Sequence, residues 1–159
     1  MNSMVIYGSR HGNTHKIAEA IAGELRRHGT AHLFSVDDAP SALPKKTDLI
    51  VVGGPTEAHR MTQPMVKYFD QIGNGELKGI AAAGFDTRLR WPRWLSGSAG
   101  TGITARLRKA GAQVIAPEGS FVVAGKYPVL EPGELERATV WASSLAEKVE
   151  SRVPAGAIH

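Results

Sequence analysis

The sequence predicts an α/β protein, a doubly wound three-layer sandwich around a five-stranded parallel sheet, and three observations predict it. Short, wholly apolar runs recur along the chain. Each is followed by a stretch with apolar residues at helical spacing, and the first and third runs pass directly into turns bearing Gly or Pro. Wholly apolar runs mark strands buried on both faces, the condition of a parallel sheet covered by helices on either side.

Met4, Val5, Ile6 and Tyr7 form the first such run, and Ile17, Ile21 and Leu25 then repeat every four residues, with Ala18 and Ala22 beside them. This spacing predicts a helix from about Asn13 to Arg27, ended by Gly29. A weaker strand is expected from His32 to Val36 and a short helix near Asp37 to Leu43. Leu49, Ile50, Val51 and Val52 form the clearest second buried strand, closed by Gly53, Gly54 and Pro55 as breakers. Met65, Phe69 and Ile72 then keep helical spacing.

Gly79 to Phe85 reads as a strand of small residues, followed by a loop from Asp86 to Gly100 and a helix marked by Ile103, Leu107 and Ala110. Val114 and Ile115, then Phe121 to Val123, predict a last strand interrupted around Pro117 to Gly119. Leu135, Ala138, Trp141, Leu145 and Val149 mark a closing helix, and the tail from Pro154 reads as frayed. With 159 residues, no internal repeat and no linker, one domain over 1–159 is expected.

Composition excludes several classes. Cysteine is absent, which removes disulfides, cysteine-ligated iron–sulfur clusters and thiolate catalysis. No apolar run approaches the roughly 20 residues that span a bilayer, and the amino terminus enters a strand pattern without a basic-then-apolar leader, so a cytoplasmic protein without a membrane span is expected. The net charge of +4 is spread over most helices without a basic, aromatic-interleaved stripe, so no nucleic-acid partner is expected. His11 and His15 stand four apart, but no third metal ligand accompanies them, and Ser96-Gly97-Ser98 lacks the surroundings of a catalytic nucleophile. No metal is expected.

Chemistry belongs in the loops that follow the strands, where a doubly wound sheet reverses its strand order. The first, Gly8-Ser9-Arg10-His11-Gly12-Asn13-Thr14, runs from strand into helix, a junction whose unpaired backbone N–H groups favour an anion. Gly8 and Gly12 permit tight curvature, and the Ser9 and Thr14 hydroxyls and the Asn13 amide are phosphate donors. The alternative is that these residues merely cap a helix. Neither the Gly-x-Gly-x-x-Gly spacing nor a Lys-Ser or Lys-Thr pair is present, which argues against a nucleoside triphosphate.

Val5, Ile6, Tyr7, Ser9, Gly12, Thr14, Ala18 and Ile21 together resemble the flavodoxin signature. Gly53-Gly54-Pro55-Thr56, continued by Glu57, Ala58, His59 and Arg60, is similar to the Gly-x-Pro-Thr turn of that family. Phe85-Asp86-Thr87-Arg88, Ser120-Phe121-Val122 and Gly133-Glu134-Leu135-Glu136-Arg137 resemble a branch of flavodoxin-domain proteins, and no long insertion splits the last strand. The resemblance implies strand order 2-1-3-4-5 and bound flavin mononucleotide (FMN), with the flavin and no side chain carrying the chemistry. It assigns the cofactor to Ser9, Arg10, His11, Gly12, Asn13 and Thr14, to Pro55, Thr56, Glu57 and His59, and to Phe85, Asp86, Thr87 and Arg88. Trp91 and Trp94 either flank the ring or form a lid or docking patch, and His59 is otherwise a solvated loop residue.

Two departures from the family stand out. No Gly lies between Pro55 and Gln71, so the peptide flip by which flavodoxins stabilise one-electron-reduced flavin is expected to be weak here. Arg10, Arg60, Arg88, Arg90 and Arg93 make the expected rim basic where flavodoxins are acidic, Asp86 and Glu57 being the candidate ion-pair partners of Arg88, and a basic rim favours an anionic reduced flavin and an anionic partner. Three functions follow: an electron-transfer flavoprotein serving a redox partner protein, an NAD(P)H-dependent quinone reductase, or a binding module that has kept the fold without the flavin. Monomer and homodimer are both compatible.

Overall fold

The computed structural model describes residues 1–57, 60–91 and 97–152. Among them the chain runs β1 (Asn2–Tyr7), α1 (Asn13–Leu25), β2 (Thr30–Ser35), β3 (Leu49–Pro55), α2 (Gln63–Gln71), β4 (Ala81–Leu89), α3 (Ala99–Lys109), β5 (Gln113–Val114), β6 (Gly119–Ala124), β7 (Val129–Leu130) and α4 (Glu134–Glu150). The sheet has the order β2-β1-β3-β4-β6-β7, with β5 also on β4. All pairings are parallel except β6 with β7. The expected order 2-1-3-4-5 is present, its fifth strand divided into β5 and β6 around Pro117, and β7 is an antiparallel addition.

Side chains that alternate along a strand separate into two interiors. Val5, Leu49, Val51, Ala81 and Ala83 face α1 and α4, whereas Met4, Ile6, Ile50, Val52 and Ala82 face α2 and α3. The opposed placement of α1 and α2 reverses the winding between β1 and β3 and opens a crevice at their carboxyl ends. In the middle of β4, small residues are a packing requirement: a Cβ on Gly84 would come within 2.8 Å of the Thr104 hydroxyl on α3.

Three elements differ from expectation. The segment near Asp37 to Leu43 holds a turn, with Asp38 N–H donating to Ser35 O at 3.1 Å, and no helix. β3 continues through Gly53, Gly54 and Pro55 instead of stopping before them. Here glycine serves close approach, since a Cβ on Gly53 would lie 2.2 Å from the Phe85 ring. β4 likewise runs on to Leu89, so Phe85-Asp86-Thr87-Arg88 is strand and not loop. Phe85, Phe121 and Trp141 pack edge to face with centroids 6.1 to 6.3 Å apart and close this end of the core.

The outer edge of β6 is closed by side chains. Val122 N–H donates to Glu134 Oε2 at 2.7 Å, Arg137 Nη2 donates to Ser120 O at 3.1 Å, and β7 pairs only with Val123 and Ala124. Glu134 and Arg137 are themselves joined at 2.6 Å. No helix among the described residues is long and apolar enough to cross a membrane.

Gly53→Ala should destabilise the fold by ~2 kcal/mol or more through overpacking against a rigid ring. Gly23→Ala, on the exposed face of α1 with open space around it, should stabilise by about 0.5–1 kcal/mol; urea midpoints read both. The Tyr68 hydroxyl is buried without a hydrogen-bond partner, and burial pushes its pKa from 10.0 up to about 12. Because the unfolded phenol ionises first, stability is full below pH 10 and falls as pH rises toward 12. Tyr68→Phe should remove that part of the alkaline loss in melting scans taken across this range.

Candidate functional site

The first turn sits directly over the crevice. Gly8 N–H donates to Gly53 O at 2.9 Å, tying the turn to β3, and Gly12 adopts a left-handed φ of 83° just before α1. Ser9 Oγ accepts from Gly12 N–H at 3.1 Å, which leaves its own proton for a ligand. No side chain caps the start of α1, so its first N–H groups remain available to an anion. Simple helix capping is therefore not what Ser9, Asn13 and Thr14 do.

Asn13 and Thr14 are buried and point into the cleft's walls. Thr14 Oγ1 shares a 2.8 Å hydrogen bond with Thr87 Oγ1 on β4. The Asn13 amide, expected at a phosphate oxygen, donates instead to Pro128 O at 2.8 Å, drawing the β6–β7 turn against the first loop. A cavity of about 300 Å³ lies among these groups. It is lined from the anticipated segments by Arg10, His11, Asn13, Thr14, Pro55, Thr56, Glu57, Thr87 and Arg88.

A fourth wall escaped the sequence reading: Val123, Gly125, Lys126 and Pro128 on the β6–β7 turn, with Leu89 from the end of β4. The Gly125-Lys126-Tyr127-Pro128 run signals a turn in the sequence, but nothing local says that it folds back on Asn13. A larger cavity of about 580 Å³ adjoins the first, over the ends of β1 and β2, and takes Ser9 and Gly12 into its lining. Arg10, Pro55 and Glu57 line both cavities.

Asp86 is fully buried and lines neither cavity. Its carboxylate accepts from Ser98 Oγ at 2.6 Å, Ser120 Oγ at 2.6 Å and Gly100 N–H at 3.0 Å, with Thr56 Oγ1 at 3.4 Å. Thr56 Oγ1 in turn accepts from Ala99 N–H at 2.9 Å. The negative charge thus sits at the start of α3, where N–H groups and helix dipole offset its desolvation. Asp86 positions the walls of the crevice from behind. Phe85 is also no lining residue, its ring being committed to the core.

The basic rim is partly neutralised. Arg10 Nη1 pairs with Glu57 Oε1 at 2.9 Å across the crevice, and Arg90 binds Glu131, with Nε to Oε1 at 3.0 Å. The hydrogen bond from Arg90 holds the Glu131 carboxyl below its usual range. Arg88 pairs with neither Asp86 nor Glu57 directly. It donates through Nε to Ser120 Oγ at 2.6 Å and through Nη1 to Trp91 O at 2.8 Å, reaching Asp86 only by way of the serine. Arg88 and Lys126 have no carboxylate partner among the described residues, so the smaller cavity keeps a positive lining.

Glu57 and Arg60 exchange backbone hydrogen bonds of 2.9 Å, closing the turn after β3. Trp91 is exposed and lines no cavity described here. His59, Arg93, Trp94 and the tail from Pro154 lie outside the described residues. His15 stacks on Tyr7 and lies 3.1 Å from Glu19, and no cluster of three metal-ligating residues occurs among the described residues.

A parallel sheet of this order, with an uncapped strand-to-helix turn beneath a crevice at its switch point, defines a doubly wound α/β protein. The flavodoxin domain model matches residues 4–93, more than half of the chain, and the chain belongs to that family. It is 36% identical over 93 residues to a flavodoxin of Aquifex aeolicus, covering 55% of this chain and 50% of the relative. It is 32% identical over 97 residues to an NAD(P)H dehydrogenase (quinone) of Gluconacetobacter diazotrophicus, covering 48% and 49%. The chain thus spans about half the length of these sequence relatives.

Among solved structures, an archaeal flavodoxin superposes with a TM-score of 0.72 at 25% identity, over 94% of this chain and 99% of that one. Flavodoxin 1 of Bacillus cereus gives 0.76 at 19% identity over 97% and 100%, a likeness of fold.

Asp86→Ala would strand three or more buried donors, each costing about 1–3 kcal/mol. The expected loss is about 3 kcal/mol or more in urea unfolding, with Asp86→Asn losing less than half as much because its carbonyl still accepts.

Proposed function

We propose that the chain binds FMN in the smaller cavity and passes electrons through it, as an electron-transfer flavoprotein whose one domain occupies 1–159. The observation that carries this reading is the uncapped start of α1 beneath the paired Thr14 and Thr87 hydroxyls, with Ser9 keeping a free proton. Such a cradle fits a dianionic monophosphate. Ser9 and Thr14 would hold the phosphate together with the backbone N–H groups of Asn13 and Thr14. Pro55 to Glu57 and Thr87 to Leu89 would line the slot for the ring, joined to each other by Thr56 N–H donating to Thr87 O and backed by Asp86. When bound, the flavin supplies reversible electron or hydride transfer.

Arg88 and Lys126 favour negative charge in this cavity, which suits a reduced flavin and an anionic partner. The same observation supports the second reading, an NAD(P)H-dependent quinone reductase, in line with the name of one relative. Oxidation of NADPH with a quinone by this protein alone would select it.

Calorimetric titration tests the cofactor. FMN should bind with 1:1 stoichiometry and riboflavin more weakly. Ser9→Ala and Thr14→Val should each weaken FMN about tenfold, ~1.4 kcal/mol, while leaving riboflavin unchanged. No heat with FMN would leave only a binding module on a flavodoxin fold.

A further inference from the structure

The larger cavity, about 580 Å³ over the carboxyl ends of β1 and β2, borders the proposed phosphate cradle at Ser9 and Gly12 and extends away from it to Asp37 and Gln63, which the flavin reading does not use. Its size is that of a site for a small organic ligand. Five of its side chains differ in chemistry yet fit one class of molecule. Asp37 stands just after β2 in the turn closed by Asp38 N–H and Ser35 O. Its neighbour Asp38 is engaged by the Ser35 hydroxyl at 3.1 Å, whereas the Asp37 carboxylate has no partner among the described residues.

In doubly wound nucleotide-binding proteins, a carboxylate at the end of the second strand receives the hydroxyls of a ribose whose phosphate lies toward the first turn. Asp37 holds that place. Gln63, the first residue of α2, presents an amide with no described partner, and a carboxamide pairs with the donor–acceptor edge of adenine. Tyr7 and His15, stacked at 4.9 Å with planes 20° apart, give an aromatic wall against which a base can pack.

On the side shared with the smaller cavity, Arg10 spends one guanidinium nitrogen on Glu57 and is 69% exposed. Such an exposed ion pair is weak, and the remaining N–H groups form a fork suited to phosphate.

We propose that this cavity is a second, adenosine-binding subsite, taking the adenosine 5′-phosphate moiety of a dinucleotide. Asp37 receives the ribose hydroxyls, Gln63 reads the adenine edge and Arg10 meets the phosphate. The moiety belongs equally to a nicotinamide dinucleotide and to FAD. In the first case FMN and the dinucleotide bind side by side; in the second, one molecule spans both cavities.

Calorimetry with 5′-AMP on FMN-loaded protein tests the subsite. AMP should bind with 1:1 stoichiometry, and Asp37→Ala and Gln63→Ala should each weaken it about tenfold while FMN affinity stays within twofold. Adenosine lacking the phosphate should bind more weakly, and 5′-UMP should bind at least tenfold more weakly than AMP.

Two further titrants assign the source. NADH binding to the FMN-loaded protein, sensitive to Asp37→Ala, supports the subsite through the nicotinamide dinucleotide. FAD binding to flavin-free protein more tightly than FMN, with the excess removed by Asp37→Ala, supports it through FAD. No heat with AMP on either form overturns the subsite, as does AMP binding that FMN abolishes or that neither substitution alters. Because FMN affinity is measured separately, failure of the subsite and failure of the flavin assignment give different results.

Discussion

A carboxylate taken wholly out of water must be met by donors, and Asp86 finds them on three separate stretches of chain. Ser98 and Gly100 belong to the start of α3, Ser120 to β6, and Thr56 to the end of β3. None of these segments is near another in sequence. They meet on a single planar group, which through Thr56 is tied to the lining of the smaller cavity. The low local dielectric strengthens each of these bonds and makes any vacancy among them costly, so the walls hold or fail together.

Behind that node the fold rests on a simpler requirement. Through their middle stretches, residues 4–6, 49–52 and 81–85, the central strands are apolar or very small, because helices cover both faces. Val5 against Met4 and Ile6, or Val51 against Ile50 and Val52, shows the division directly. This is why the architecture was legible in the sequence: unbroken apolar runs admit few environments other than a doubly covered sheet. The first turn was legible for a related reason, since a strand that enters a helix through Gly-bearing chain leaves donors without partners.

Other features depended on contacts that local pattern does not encode. Gly53 and Gly54 read as strand breakers, yet they extend β3 because the Phe85 ring, 32 residues on, occupies the space of a Cβ. The expected helix after Asp37 loses to a turn anchored on Ser35. The β6–β7 turn joins the site through one long-range bond from Asn13. The five arginines were visible as a group, but which of them have a carboxylate to offset their charge depends on Glu57 and Glu131, and Glu131 lies outside all three loops that the sequence singled out.

The sealing of β6 by Glu134 and Arg137 reaches beyond local stability. A sheet border whose amide and carbonyl are already taken by a carboxylate and a guanidinium offers no ladder for a visiting strand. To extend the sheet sideways at that margin, a sister chain or an unfolded neighbour would have to displace the buried Glu134 carboxylate and its exposed Arg137 partner first. Growth by strand addition is thereby blocked on this flank, and an encounter with another molecule there falls to the outward surface of α4, whose exposed Val140 and Leu135 face solvent.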